Sequence, residues 1–372
     1  MKKYVKSAVT AVLVLLALLI PVKTVNAEDV VAFTKPITLN STFSETLTTE
    51  TGVNAKYTFT LKKSGTLTVQ IGFKEGSGYS WGYHGGVTLK DCDGKELANV
   101  GVRDNSGGTD SGVFTVDLLA GDYYLYVDTK ANDNNPSNYI ITTSYEDSNE
   151  TVVDNLQNPH DSQANPIALP FGSVYTGHIA LNSESDVYKV DIKGNVMLTV
   201  DLTNRTNGLK MEIINTNNTV KKDFSFAEKT DTEKVFCPAG TYYITISRRP
   251  RNYEDTYTYG TYTIKTTTSP LATTTIKKLK NKKGKLLDVK FGIKSMGDAA
   301  GYQIQYSTSK NFKKKKKTVT IENSDYLQST YTLMGLKKKK TYYVRIRTYM
   351  TDNRGEQYFS AWSKAKKIKI KK

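Results

Sequence analysis

Leu119-Ala120-Gly121-Asp122-Tyr123-Tyr124-Leu125-Tyr126-Val127 is echoed by Pro238-Ala239-Gly240-Thr241-Tyr242-Tyr243-Ile244-Thr245-Ile246. A looser echo follows at Lys340-Thr341-Tyr342-Tyr343-Val344-Arg345-Ile346. Each copy is a turn, then paired tyrosines, then apolar residues alternating with polar ones. A period of two in Tyr, Val, Ile and Thr marks a half-buried strand, and Gly121 and Gly240 give the preceding turn its backbone freedom. Three copies predict three β-sandwiches, each using this segment as a late strand.

The rest of the 372 residues agrees. No long stretch has a helical apolar period, and Gly, Asn, Thr and Ser interrupt the chain roughly every 8–12 residues, the rhythm of sandwiches and barrels. The expected fold is all-β, three tandem sandwiches. Residues 1–27 read as a secretory signal peptide: basic Lys2, Lys3 and Lys6, an apolar run from Ala8 to Ile20, Pro21, and small residues at Val25-Asn26-Ala27. The run falls short of the roughly 20 residues that span a bilayer, although an uncleaved anchor is the competing reading. No Cys lies near the cleavage site to accept a lipid, and Lys366 to Lys372 is no hydrophobic sorting tail. The expectation is a secreted protein with no covalent or transmembrane anchor. What remains exceeds one core, so two to three domains are expected.

Two of these are copies of each other, 28–147 and 148–268. Ala55-Lys56-Tyr57-Thr58-Phe59-Thr60-Leu61 in the first answers to Asp186-Val187-Tyr188-Lys189-Val190-Asp191-Ile192 in the second. Between this strand and the Gly-Asp/Thr-Tyr-Tyr landmark the first copy holds twelve extra residues, for which Gly76 to Gly86 is the visible candidate. The second copy resembles the bacterial pre-peptidase C-terminal domain family through Ala164 to Gly172, Gly177-His178-Ile179, Asp186-Val187-Tyr188 and Ala239 to Tyr243. The first copy departs from that pattern at Ala55, where the family tends to have an acid. The resemblance implies small jelly-roll-like sandwiches that accompany secreted enzymes and adhesins without chemistry of their own. Residues 269–372 resemble a fibronectin type III domain of secreted Gram-positive proteins, through Gly301 to Ser307, Leu336 six residues before Tyr342, and Ser360-Ala361-Trp362-Ser363. Phe291 stands where strand B of that family usually has Trp.

Charge is unevenly shared. Residues 270–372 hold 27 Lys and Arg against 6 Asp and Glu, whereas 28–147 hold 9 against 16 and 148–269 hold 12 against 14. In a seven-stranded sandwich the A–B, C–C′ and E–F loops and the chain's exit share one pole. That places Lys280, Lys282, Lys283 and Lys285 together with Lys313, Lys314, Lys315, Lys316 and Lys317, and with Lys337, Lys338, Lys339 and Lys340. The pole is expected to face away from the second sandwich. Ammonium groups crowded within a Debye length of about 8 Å repel one another unless an anion is near. The functional reading is a cap for anionic cell-wall polymers or a membrane surface; the plain one is a solvated lysine fringe. Nucleic acid is the poorer partner and is not expected, because no aromatics interleave the lysines to stack on bases and an exported protein is in the wrong compartment.

Tyr79, Trp81 and Tyr83, on the Gly-rich insertion with His84, either present flat faces to a glycan or protein ligand or pack back on the sheet. Asp91-Cys92-Asp93-Gly94 and the oxygen-rich stretch from Asp128 to Asn135 lack full calcium spacing, and Asp-x-Asp-Gly is also an ordinary hairpin turn, so no metal or cofactor is assigned. Cys92 and Cys237 read as separate thiols. Trp362 is placed to stack with Arg345 and Arg347. The three histidines, His84, His160 and His178, fall in expected loops or turns, and no nucleophile elbow, P-loop or His-Glu-x-x-His is present. No catalytic residues are assigned and an enzyme is not expected. The function expected is envelope-associated binding or adhesion through the basic domain. The alternatives are an accessory partner of a separately encoded enzyme and a glycan-binding module.

Overall fold

The computed structural model describes residues 31–371 apart from 51–52, 75–81, 105–110, 131–135, 184, 205–207, 226–229 and 249–259. The described residues form strands and turns and no helix, in three tandem β-sandwiches. The expected signal peptide lies outside them.

The first sandwich comprises β1 (Phe33–Pro36), β2 (Thr42–Leu47), β3 (Asn54–Leu61), β4 (Gly65–Phe73), β5 (Gly82–Asp91), β6 (Glu96–Asp104), β7 (Ser111–Leu118), β8 (Gly121–Thr129) and β9 (Ser137–Asp147). Its sheets run β1-β3-β8-β5-β6 and β2-β9-β4-β7. The second comprises β10 (Ile167–Ala168), β11 (Val174–Ile179), β12 (Ser185–Ile192), β13 (Val196–Asn204), β14 (Leu209–Asn215), β15 (Lys221–Ser225), β16 (Thr230–Cys237), β17 (Gly240–Arg248) and β18 (Gly260–Pro270). Its sheets run β10-β12-β17-β14-β15 and β11-β18-β13-β16. Set aside the short parallel edge strand that opens each, and both read 1-8-3-6 against 2-7-4-5. That is the double Greek key of a jelly roll.

The third sandwich comprises β19 (Ile276–Lys282), β20 (Leu286–Phe291), β21 (Gly301–Ser307), β22 (Lys317–Glu322), β23 (Thr330–Leu333), β24 (Thr341–Thr351), β25 (Gln357–Phe359) and β26 (Lys366–Lys369). The order β19-β20-β23 against β22-β21-β24, with β25 and β26 both on β24, is that of a fibronectin type III domain. Phe291 fills its core position completely and packs on Tyr302, ring centroids 5.1 Å apart.

The repeated tyrosines explain why these strands hold their places. Alternation turns the first of each pair inward, so Tyr123, Tyr242 and Tyr342 are buried, and each hydroxyl is tied to the turn that precedes it. Tyr123 donates to the Leu119 carbonyl (2.9 Å) and Tyr242 to the Pro238 carbonyl (2.9 Å), while Tyr342 accepts from the Lys337 amide (3.0 Å). Each such bond contributes about 1 kcal/mol net, beyond about 1.5–3 kcal/mol for burying a large apolar side chain. A second pair of hydroxyls meets between the sheets of each jelly roll: Tyr57 with Tyr139 at 2.5 Å and Tyr188 with Tyr262 at 2.8 Å.

Two expectations need correction. Tyr83 and His84 lie on β5 rather than in a loop, because the strand begins at Gly82 and pairs with β6 and β8. His178 lies on β11, 2% exposed, because the end of that strand packs against the first sandwich, where Asp117 Oδ1 is 3.4 Å from its Nε2.

Candidate functional site

The lysine-bearing segments of the third sandwich are tied together at one pole. The β19–β20 turn is bonded to the β23–β24 turn through the Leu336 amide and the Lys285 carbonyl (3.3 Å). The β23–β24 turn is bonded to the terminal strand twice, Lys339 N to Ile370 O (3.0 Å) and Ile370 N to Lys340 O (2.9 Å). The loop after β21 joins them from the neighbouring strand: Ser307 pairs with Tyr343 and its hydroxyl donates to the Lys314 carbonyl (2.7 Å). Phe312, buried under the Arg345 guanidinium at 4.3 Å, pins that loop.

Lys283 and Lys285 stand in the first turn, Lys313, Lys314, Lys315 and Lys316 in the loop, and Lys337, Lys338, Lys339 and Lys340 in the second turn. Lys280 and Lys282 belong to β19, and Lys317 opens β22. All of them are exposed. Among the described residues only Lys282 has a carboxylate within ion-pair distance, Asp288 at 3.5 Å. Lys285, Lys315 and Lys339 each take a left-handed backbone (φ 64°, 50° and 58°), a conformation that costs an L-residue roughly 1–2 kcal/mol. The other end of β24 meets the second sandwich through Asn353 N to Thr219 O (2.9 Å) and Arg354 Nη2 to Asn217 O (3.0 Å). Eleven strand residues therefore separate the pole from that contact, roughly 35 Å.

The other expected sites fare differently. Tyr79 and Trp81 lie outside the described residues, and of Tyr83 only its place on β5 is described. The Asp91 carboxylate accepts the amides of Asp93 (3.1 Å) and Lys95 (2.9 Å), the geometry of a hairpin turn, whereas residues 131–135 of the other oxygen-rich stretch fall outside. Cys92 is exposed and Cys237 buried, with no disulfide between them. Arg345 and Arg347 stack on Trp362 at 4.5 and 4.3 Å, and each guanidinium also donates twice to a glutamine oxygen, Gln305 and Gln303 respectively.

One constellation has no counterpart in the motif reading. The segment between β9 and β10 is sewn to both jelly rolls. It bonds the first through Ala120 N to Asp154 O (3.2 Å) and Leu156 N to Ala120 O (3.0 Å), and the second through Thr151 N to Thr176 O (2.9 Å). Leu156 sits so close to Gly121 that a Cβ there would lie 2.7 Å from it. Asn182 adds a bond from its side chain to the Tyr123 hydroxyl (2.8 Å).

Buried at this seam are Glu150, Asp154, Asp186 and His178, with Asp117 half-buried beside them. Burial pushes Asp117, Glu150 and Asp154 above the usual carboxylate range. Asp186 is also raised, through burial and the neighbouring Asp154 and Glu150, even though the Tyr262 hydroxyl donates to it. Burial likewise lowers His178 to about 4, leaving its ring neutral. A cleft of about 550 Å³, lined by residues of both jelly rolls, opens onto the seam. The one trace of this in the sequence is Asp186, standing where the first copy has Ala55.

A scan of protein-family models finds no match for the chain, and a search of curated proteins finds none either. Among solved structures, the pre-peptidase C-terminal domain of a collagenase from Bacillus anthracis is similar at 20% identity, covering 30% of this chain and 95% of that one, TM-score 0.23. A chain described as a myokine structure aligns at 17% identity over 28% of this chain and 100% of its own, TM-score 0.21. Fibronectin domains FN1–FN3 of chicken CNTN1 align at 12% identity over 85% of this chain and 97% of theirs, TM-score 0.22.

Proposed function

We propose that this chain is a secreted, non-catalytic binding protein of the Gram-positive cell envelope. Its third sandwich holds anionic surface polymers or an anionic membrane face through the lysine pole. The observation that carries this reading is the backbone bonding of Lys285, Lys339 and Lys340 into one knot of turns, which supports a fixed cluster of exposed ammonium groups at the tip farthest from the second sandwich. Lysine is a flexible point charge, suited to following a phosphate chain without strict geometry. The composition of residues 1–27 supports export. The mildly acidic jelly rolls then stand clear of the polyanion, free to meet another ligand.

The test is retention of the full chain on purified cell wall as salt is raised. Retention is expected to fall steeply as the Debye length shrinks from about 10 Å at 0.1 M salt to about 3 Å at 1 M. Replacing Lys313, Lys314, Lys315, Lys316 and Lys317 with Ser should weaken it at every salt concentration. These side chains are exposed, so the fold is retained. Retention indifferent to that replacement would end the proposal.

A further inference from the structure

We propose that the cleft between the two jelly rolls is a binding site for a protonated amine. Asp117 from β7 and Glu146 and Asp147 from the end of β9 form its acidic wall, and Thr203 and Thr261 line it from the second jelly roll. Among the described residues no Lys or Arg lines it. The wall already holds one ammonium at its rim, the chain's own Lys63 on Asp147 at 2.8 Å. His178 also lines the cleft; it is 2% exposed, and neither ring nitrogen has a hydrogen-bond partner.

A buried polar atom without a partner costs about 1–3 kcal/mol, and a neutral imidazole can accept one N–H from an ammonium group. Its nearest carboxylate oxygen, Asp117 Oδ1 at 3.4 Å, leaves that capacity unused. The Asp147 carboxylate, which already meets an ammonium, opposes phosphate or carboxylate ligands at this wall. A divalent metal fits less well, because among the described residues no three His, Cys, Asp or Glu side chains converge as ligands. The same chemistry has two sources, a free amine such as a polyamine or amino sugar, and a lysine side chain from a second copy of this chain.

The test uses the full chain in two arms. Spermidine is titrated while backbone amide shifts are followed, and sedimentation velocity is measured without ligand over a range of protein concentrations. The expected result is saturable shifts at Thr203, Thr261 and Thr263, with affinity lowered about tenfold in Glu146→Gln, the loss expected for one charge-assisted hydrogen bond. Asp117→Asn should act in the same direction. Glu146 is exposed, so its variant folds whatever happens at Asp117. If spermidine fails to saturate but the chain self-associates, and Glu146→Gln abolishes that association, the amine comes from another copy. Neither binding nor association, shifts scattered over the whole surface, or an unaltered response in Glu146→Gln would overturn the site.

Discussion

Replacing Asp186 with Ala should destabilise the second jelly roll in acid and progressively less toward neutrality. The carboxyl is fully buried and receives hydrogen bonds from the Tyr262 hydroxyl and the His178 backbone amide. Losing two such bonds costs about 1–3 kcal/mol together. Burial and the nearby Asp154 and Glu150 hold its folded pKa well above the unfolded value of about 3.9, so the folded state keeps the proton more tightly. Its stabilising contribution is therefore complete below that unfolded value and is lost as pH rises toward the folded pKa, at up to about 1.4 kcal/mol per pH unit. A penalty of about 2 kcal/mol at pH 4 should thus shrink substantially or vanish by pH 7.

The first jelly roll is the internal control, since Ala55 occupies the equivalent place while Tyr57 and Tyr139 keep their hydroxyl pair. Native-state hydrogen exchange of the β12 and β18 amides isolates this module from its neighbours. A penalty that stays constant or grows with pH would show that the carboxyl is held ionised, and the reasoning would fail.

Tyr123→Phe removes bonds to the Leu119 carbonyl and from Asn182, so the β8 amides should exchange faster by the equivalent of about 1–3 kcal/mol; unchanged protection would contradict the seam described here. Trp362→Ala removes two guanidinium stacks, at 4.5 and 4.3 Å, and should lower protection of β24 and β26 by about 1–2 kcal/mol, whereas an effect confined to the Trp362 loop would leave the stack without energetic weight. A thiol reagent should label Cys92 in the native protein and Cys237 only in denaturant, because burial pushes the Cys237 thiol up to about 12. Two thiols titrating at once under native conditions would be inconsistent with that core.

Architecture was legible because alternation is a local signal. Strands such as β8, β17 and β24 bury every second residue, and the turn-tyrosine pairs fix where they begin. The lysine runs were legible for a related reason, since loop position in a fibronectin-type sandwich decides which pole a residue reaches. The seam was not. Asp117, Glu150, Asp154, His178 and Asp186 come from β7, the intervening segment, β11 and β12, and nothing in their spacing announces that a docked linker brings them together. His178, expected in a loop or turn, follows Gly177 on β11. In the fold that glycine makes room for Tyr188 and Tyr262, whose hydroxyls lie 2.5 Å from where its Cβ would stand. The glycines around Tyr83 and His84 predict a loop, whereas pairing of Gly82 and Tyr83 with β6 extends the strand, with a register shift at His84.

The most direct measurement is the affinity of the full chain for a defined linear polyphosphate as a function of salt. Counterion release predicts that the logarithm of the binding constant falls linearly with the logarithm of salt concentration. Replacing Lys337, Lys338, Lys339 and Lys340 with Ser should flatten that slope. Affinity independent of salt, or a slope unchanged by the replacement, would contradict the claim that this pole grips a polyanion.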